Sequence, residues 1–190
     1  TDSVGKVNKA WVFLGMRRGG TSYYALDITN PDSPQYKWVI NSSTEKFEDL
    51  GQSWSEPVVT FIPSISEPVL IFGGGMESVD GSGAAVYIVK AFTGEFVTKF
   101  TATGMSSIPN KVAVLDSNND GISDRVYASD IDGSIWRIDL PSTNKTTWSI
   151  FQFAKISTTS SPDNRMFFAE PTVAQTQFNN IHSENGVLSY

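Results

Sequence analysis

The sequence predicts an all-β protein made of four-stranded antiparallel blades, part of a β-propeller. Short runs rich in Val, Ile, Tyr, Phe and Trp are bounded by Gly, Pro, Asn and Asp, which is the pattern of strands and tight turns. No stretch of useful length has helical periodicity. Segments of the chain also repeat one plan: an apolar strand, a turn, a strand with a central aromatic residue, and an aromatic closing strand. Repeats of this size indicate a ring of similar units.

The first unit, residues 10–40, contains WVFLGMRRGGTSYYALDITNPDSPQYKWVI and supplies the last strands of one blade. Its central aromatic residue is Tyr24, and Trp38 closes the unit. The second unit, residues 55–100, begins with the strand SEPVVTFI and forms a complete blade. Tyr87 is its central aromatic residue, and Phe100 closes it.

The third unit, residues 110–155, begins with NKVAVLD and forms another complete blade, with Trp136 at its centre and Trp148 near its end. Residues 167–178, which include AEPTVAQT, are predicted to open the next blade. The three opening strands start 55 and then 59 residues apart. A closed ring typically has four to eight blades, so these units predict a partial propeller or a fragment of one.

A β-sandwich is the rival architecture, because sandwiches also consist of many short strands at regular spacing. The aromatic repeat favours the propeller, in which each blade buries its faces against its neighbours. The sequence begins at Thr1, without an initiator Met or a signal-like segment, and this start favours a piece of a longer protein.

Composition excludes several function classes. The chain has 14 Lys and Arg against 20 Asp and Glu, and no basic cluster interleaved with aromatics, so nucleic acid is not an expected partner. No stretch is long and apolar enough to span a bilayer. Without Cys, the chain has no disulfide, thiol nucleophile or Cys-based zinc site. The single His supports neither a catalytic triad nor a zinc centre.

The segment DSNNDGISD, residues 116–124, has the residue pattern of a calcium loop. In loops of the EF-hand type, side chains at positions 1, 3 and 5 and the carbonyl at position 7 bind the ion, and Gly at position 6 allows a sharp turn. Gly121 is at position 6 here. The predicted Ca²⁺ ligands are Asp116, Asn118, Asp120, Asp124 and the backbone carbonyl of Ile122.

The loop departs from a complete EF-hand, because Tyr127 stands where the bidentate Glu should be, and the flanking segments are strands. Asp130 is a further candidate ligand. Asn, Asp and Gly also form ordinary polar turns without an ion. The mutual repulsion of three carboxylates favours a cation over a simple turn. Calcium is preferred over magnesium, because magnesium requires stricter octahedral geometry.

Four segments together resemble one family. GMRRGGTSYYALDITNP, LGQSWSEPVV, SGAAVYIVKAFTGE and LDSNNDGISDRVYASDIDGSIWRIDL are similar to the C-terminal propeller of the PilC/PilY family of type IV pilus tip adhesins. The resemblance covers about residues 12–176. It implies a modified, seven-bladed-like ring whose calcium loop has the pattern D-x-[DN]-x-D-G-x-x-D.

The resemblance also implies a non-enzymatic protein of a Gram-negative bacterium, secreted to the cell surface, the pilus tip and the outer membrane. Its implied roles are pilus biogenesis, control of retraction in twitching motility, virulence, and adhesion to host or abiotic surfaces. Its implied partners are pilin or minor pilin subunits and those surfaces. The adhesive N-terminal half typical of the family has no counterpart in this sequence.

The sequence is compatible with two alternative functions. The first is a calcium-containing quinoprotein dehydrogenase of the PQQ type, whose blades have a similar A-x-D…G-x-x-x-W pattern. Only ALDITNPDSPQYKW follows that pattern, and no active-site residues converge near it in the sequence. The second is an integrin-like surface propeller, in which several blades would each have a calcium loop, whereas this sequence has one.

Overall fold

A computed structural model describes residues 9–79, 81–157 and 166–175, together with the backbone of two strands at 182–184 and 187–189. Regular structure in these residues is almost entirely β. The strands are β1 (Trp11–Gly15), β2 (Tyr23–Asp27), β3 (Gln35–Ile40), β4 (Val58–Thr60), β5 (Val69–Gly73), β6 (Val86–Lys90), β7 (Phe96–Phe100), β8 (Ala113–Leu115), β9 (Arg125–Ser129), β10 (Ser134–Asp139), β11 (Ser149–Lys155), β12 (His182–Glu184) and β13 (Val187–Ser189). Short 3-10 helices lie at Arg17–Gly19 and Lys145–Thr147.

Successive strands pair in antiparallel meanders. Strands β1-β2-β3 form a three-stranded sheet, here called blade 1. Strands β4-β5-β6-β7 form the four-stranded blade 2, and β8-β9-β10-β11 form the four-stranded blade 3. Strands β12 and β13 form a separate hairpin. In blades 2 and 3 the first strand is at one edge of the sheet, and these inner strands, β4 and β8, lie next to each other.

The predicted aromatic repeat is confirmed by the strand register. Tyr24 lies in β2, Tyr87 in β6 and Trp136 in β10. These strands correspond to each other when β1-β2-β3 are taken as the last three strands of a four-stranded blade. Tyr24 pairs with Leu14, Tyr87 with Phe72, and Trp136 with Ala128. In each strand the aromatic residue comes one position after the end of the pairing with the preceding strand. The end pairs are Gly15–Tyr23, Gly73–Val86 and Ser129–Ile135.

The closing aromatic residues do not share a position. Trp38 pairs with Ala25, Phe100 pairs with Val86, and Trp148 lies just before β11. Trp38 makes a contact that the other two do not. It belongs to blade 1, but its Nε1 donates a hydrogen bond of 3.0 Å to the carbonyl of Ala91 in blade 2. The hydrogen bond therefore joins neighbouring blades.

The core consists of two apolar layers, each between a pair of blades. The layer between blades 1 and 2 includes Tyr23, Trp38, Phe72 and Tyr87. The layer between blades 2 and 3 contains Val69, Ile71, Val86, Ile88, Val126, Ala128, Ile138 and Leu140, among others. Strand β5 is buried at every position, because blade 2 has a neighbour on both faces. This double burial explains its uninterrupted apolar sequence, VLIFG.

The burial of the aromatic repeat depends on the preceding blade. Tyr87 is fully buried and Trp136 is nearly so, whereas Tyr24 is half-buried. Tyr24 shares its face of blade 1 with Val12 and Leu14, which are 39% and 40% exposed. Within the described residues, no blade precedes blade 1 to cover this face.

The predicted opening strand at 167–178 is not formed in its described part, because residues 166–175 contain no strand. Residues 176–178 lie outside the described residues. Side chains of blade 3 hold the segment: Asn110 Nδ2 donates to the Phe167 carbonyl at 2.8 Å, and Ser129 Oγ donates to the Ala169 carbonyl at 3.4 Å. Across the described part of the chain, no helix has the length and apolar character needed to cross a membrane.

Candidate metal centre

The five predicted calcium ligands lie in the connection between the first two strands of blade 3. Strands β8 and β9 pair up to the rung of Leu115 and Arg125, so residues 116–124 close a hairpin. The end of the loop is fixed by the main chain of Asp124. Its N–H donates to the Leu115 carbonyl at 3.0 Å, and its carbonyl accepts from Leu140 N–H at 2.8 Å.

Two residues in the loop adopt the left-handed conformation. Asn119 has φ 63° and Gly121 has φ 88°. A Cβ on Gly121 would meet no atom within 4 Å, so Gly is favoured here by its backbone conformation rather than by space. Asn is among the few other residues that tolerate this region. The two reversals curl the chain into a compact loop.

The side-chain carboxylate of Asp116 accepts two main-chain hydrogen bonds from within the loop. Gly121 N–H donates to its Oδ2 at 2.6 Å and Asp120 N–H donates to its Oδ1 at 3.1 Å. Desolvation raises the pKa of Asp116, but the backbone N–H groups of residues 118–121 outweigh it and hold the pKa below its ordinary value. The loop therefore favours the ionised form of this carboxyl group, which is the form that binds a cation.

The other predicted side chains are also engaged within the loop. Asp120 accepts from Ile122 N–H at 2.8 Å and from Asn118 Nδ2 at 3.0 Å. Asp124 accepts from Ser117, through its N–H at 3.2 Å and its Oγ at 2.6 Å. A carboxylate has about four acceptor sites, so two hydrogen bonds leave each of these groups with capacity for a cation.

The structure brings most of the predicted ligands to one cavity. Asn118, Asp120, Ile122 and Asp124 line a cavity of about 510 Å³, together with residues 62–66 and 140–143. In the described part of the chain, no three His, Cys, Asp or Glu side chains converge as a metal cluster. The loop would therefore have to draw its carboxylates inward around an ion. The candidate donors are all oxygen atoms, as Ca²⁺ prefers.

Ser123 anchors the loop through contacts that the sequence does not reveal. It is 6% exposed, and its Oγ lies 2.7 Å from Thr60 Oγ1 in β4. Its N–H donates to the Phe61 carbonyl at 2.8 Å. These contacts attach the loop of blade 3 to the neighbouring blade 2. A serine between Ile and Asp has no local feature that predicts a partner about sixty residues away in sequence.

Asp130, the further candidate ligand, has a different role. It is fully buried, and its carboxylate accepts from Ser134 N–H at 2.8 Å, Asp132 N–H at 3.0 Å and Trp136 Nε1 at 2.7 Å. These bonds organise the turn between β9 and β10, and they use the acceptor sites that a metal would need. The spacing of Asp130 and Trp136 in DIDGSIW is the sequence signal for this role.

Comparison with known proteins identifies the family. Residues 1–174 match the family model described as the PilY1 beta-propeller domain. The chain belongs to the PilY1 family. A structural neighbour supports the fold: the crystal structure of the Pseudomonas aeruginosa PilY1 C-terminal domain aligns with a TM-score of 0.72 and 26% identity, over 86% of this chain and 37% of that one. The predicted β-propeller fold and family resemblance are confirmed.

Curated members of the PilY1 family are similar in sequence. The type IV pilus biogenesis factor PilY1 of Pseudomonas aeruginosa is 34% identical over 137 residues, which cover 69% of this chain and 12% of that protein. A PilY1 homolog of Xylella fastidiosa, also named a type IV pilus biogenesis factor, is 30% identical over 152 residues, which cover 72% of this chain and 10% of the homolog. The chain thus spans about an eighth or less of these relatives.

Proposed function

We propose that this chain is a calcium-binding part of the propeller of a type IV pilus biogenesis factor. The observation that carries the proposal is the loop 116–124, in which oxygen donors at alternate positions surround two left-handed residues. Ca²⁺ is bound through Asp116, Asn118, Asp120, Asp124 and the Ile122 carbonyl. The ion neutralises three carboxylates that otherwise repel each other.

The names of the relatives support our proposal for the partners. A type IV pilus biogenesis factor acts on the pilus, so we expect pilin or minor pilin subunits as partners. The proposed location is the surface of a Gram-negative bacterium, at the pilus tip and outer membrane. The proposed roles in cells are pilus assembly, control of retraction during twitching motility, and adhesion to host or abiotic surfaces, with a contribution to virulence.

The proposal assigns no catalytic activity to this chain, because its relatives are named as biogenesis factors and the loop is a local ion site. The main alternative is a quinoprotein dehydrogenase that holds calcium beside a quinone. The absorption spectrum of protein purified from its native host distinguishes the two. A quinone absorption band that disappears on denaturation and dialysis would overturn the non-enzymatic proposal.

Thermal unfolding tests the calcium site. A ligand that binds only the folded state stabilises it by about 2.7 kcal/mol at a concentration one hundred times Kd. For a chain of this size, that gain corresponds to an increase in Tm of about 5–10 °C. We expect calcium to raise Tm, excess EDTA to reverse the increase, and magnesium at the same concentration to have a much smaller effect.

Two variants make this test specific to the loop. Asp124→Ala removes one carboxylate ligand and should abolish most of the calcium-dependent shift. Asp132→Asn removes one exposed negative charge in the next turn of the same blade, and it should leave the shift unchanged. A wild-type Tm that responds to neither calcium nor EDTA, or an equal loss in both variants, would show that residues 116–124 are only a polar turn.

The cellular role needs the same variants in the complete parent protein. If the ion supports retraction control, Asp124→Ala should reduce twitching motility and change surface piliation, while Asp132→Asn should behave like the wild type. Immunoblotting must show equal amounts of each protein. Normal motility in an Asp124→Ala strain whose protein has lost calcium binding would separate the ion from pilus function and limit it to stability.

A further inference from the structure

A second cavity lies at the other end of the inner strands. It has a volume of about 370 Å³ and is formed by three segments at corresponding positions of successive units: 54–56, 109–111 and 168–170. Arg17 completes it from the connection between β1 and β2. Two of these segments directly precede the inner strands β4 and β8, so we call this cavity the axial cavity. Concave sites of this kind are the usual place for ligands.

This cavity is separate from the calcium loop. Asn110 lies just before β8, and Asp116 lies just after it. An extended chain of six residues spans about 20 Å, so the two sites are at opposite ends of the same inner strand. A ligand in the axial cavity would therefore make no contact with residues 116–124.

The charges of the cavity are only partly compensated. Lys111 forms an ion pair with Glu56 at 3.3 Å. Arg17 and Glu170 also line the cavity, and neither forms an ion pair with another described residue. Among the described residues, the cavity thus has one cation and one anion without an ion-pair partner, Arg17 and Glu170, beside the Lys111–Glu56 ion pair.

Arg17 is held in place by its surroundings. Its guanidinium lies 5.9 Å from the centre of the Trp54 ring, a cation–π distance. Its backbone has φ 50°, a left-handed conformation that costs a non-Gly residue about 1–2 kcal/mol. Backbone strain of this kind is concentrated at functional sites. Together, the ring contact and the strained backbone position an arginine that has no acidic partner among the described residues.

Asn110 lines the cavity and has an unsatisfied acceptor. It is 3% exposed, and its Nδ2 donates to Ser129 Oγ at 3.0 Å and to the Phe167 carbonyl at 2.8 Å. These bonds fix the orientation of the amide, and its Oδ1 is buried without a hydrogen-bond partner. A buried acceptor without a donor costs about 1–3 kcal/mol, so a ligand N–H that reached it would be favoured.

We propose that the axial cavity binds a compact zwitterion of the α-amino acid type with an apolar side chain. The Arg17 guanidinium donates to the ligand carboxylate in a charge-assisted pair. Glu170 and Asn110 Oδ1 receive the ammonium group. Trp54 and Phe168, which occupy corresponding positions in their units, contact the apolar side chain. The ligand has no net charge, which matches a lining with equal numbers of cations and anions.

Isothermal titration calorimetry on the whole chain tests this proposal with L-phenylalanine as the probe. Two analogues each remove one charge: 3-phenylpropionate lacks the ammonium group and phenethylamine lacks the carboxylate. We expect both to bind at least about tenfold more weakly than L-phenylalanine, since each loses a charge-assisted hydrogen bond. EDTA should not change the affinity, because the calcium loop is at the other end of the strand.

Variants locate the binding. Arg17→Gln and Glu170→Gln should each weaken L-phenylalanine binding by about tenfold or more. Arg18→Gln is the matched control, because Arg18 also lies 5.9 Å from the Trp54 ring but is not part of the cavity lining, and it should have little effect. All three residues are exposed, so the variants should unfold like the wild type.

Three results would overturn the proposal. The first is no binding of L-phenylalanine at millimolar concentrations. The second is an affinity for 3-phenylpropionate or phenethylamine that equals the affinity for L-phenylalanine, or binding that is unchanged by Arg17→Gln and Glu170→Gln. The third is saturable binding of a neutral sugar such as D-glucose with the same dependence on these two residues, because the cavity would then recognise hydroxyl groups.

Discussion

The contact between Trp38 and blade 2 allows a quantitative test of how the blades are joined. Trp38 is 8% exposed and belongs to the core layer between blades 1 and 2. Trp38→Phe removes the hydrogen bond to the Ala91 carbonyl, and leaving that acceptor unpaired costs about 1–3 kcal/mol. The smaller ring also loses apolar burial equal to about one or two methylene groups, or about 1 kcal/mol. The expected loss of stability is about 2–4 kcal/mol.

Urea unfolding followed by circular dichroism measures this change, and thermal unfolding should show a Tm lower by about 4–16 °C. Trp54→Phe is the matched control, because Trp54 is only half-buried and its Nε1 bonds to the side chain of Gln52 in the same segment. We expect this variant to lose less than about 1 kcal/mol. If Trp38→Phe unfolds within about 0.5 kcal/mol of the wild type, the contact does not join the blades energetically.

Gly94 provides an independent check on the same contact. It has φ 71°, and a Cβ at this position would lie 3.0 Å from Cδ2 of Trp38. Gly94→Ala should therefore cost more than the roughly 1–2 kcal/mol of left-handed strain alone. In a Trp38→Ala background the collision is absent, so the cost of Gly94→Ala should fall. Equal costs in both backgrounds would contradict the predicted packing.

Three further predictions follow from polar groups. Asp130→Asn should cost about 2–4 kcal/mol in urea unfolding, because an amide cannot accept all the N–H donors that surround the carboxylate; a change below about 1 kcal/mol would contradict its role in the turn. Ser55→Ala should cost about 2–3 kcal/mol by the same assay, because Ser55 Oγ donates to the Asn110 carbonyl at 2.6 Å and accepts from Gly73 N–H at 2.8 Å. A loss as small as that of an exposed Ser→Ala variant would refute the Ser55 bridge. Without calcium, Asp116 has a folded pKa below its unfolded value, so it stabilises the fold above about pH 4 and loses that effect as pH falls through the folded pKa. Asp116→Asn should therefore be less sensitive to acid over this range, and identical pH profiles would disprove the assignment.

The fold was predictable because its signals are local and repeated. Each blade is indicated in the sequence by an apolar strand, a turn residue and a central aromatic residue. A one-residue error in strand register would move that aromatic residue to the opposite face of the sheet. Tyr24, Tyr87 and Trp136 therefore align in the structure as they do in the sequence. The candidate ligands in the loop 116–124 could also be predicted from the sequence, since the alternation of oxygen donors is a property of neighbouring residues.

Contacts between blades were not predictable from the sequence. The bonds from Trp38 to Ala91, from Ser55 to Asn110 and between Ser123 and Thr60 join residues more than fifty positions apart. No local pattern specifies such pairs, because they depend on how two complete sheets stack. Asp130 shows a similar limit at short range: its residue type suits both a cation ligand and a turn acceptor, and its burial and hydrogen bonds in the structure decide between them.

The direction in which each blade packs has a consequence for synthesis on the ribosome. Tyr87 belongs to the core layer between blades 1 and 2, and Ile138 belongs to the core layer between blades 2 and 3. In each case the preceding blade has already been synthesised when the residue leaves the ribosome. At about 5–20 residues per second, a new unit of this length appears every few seconds. Each new blade can therefore pack against a preceding blade that has already been synthesised. The propeller can then form one blade at a time, and only the outer face of the newest blade stays exposed at the growing end.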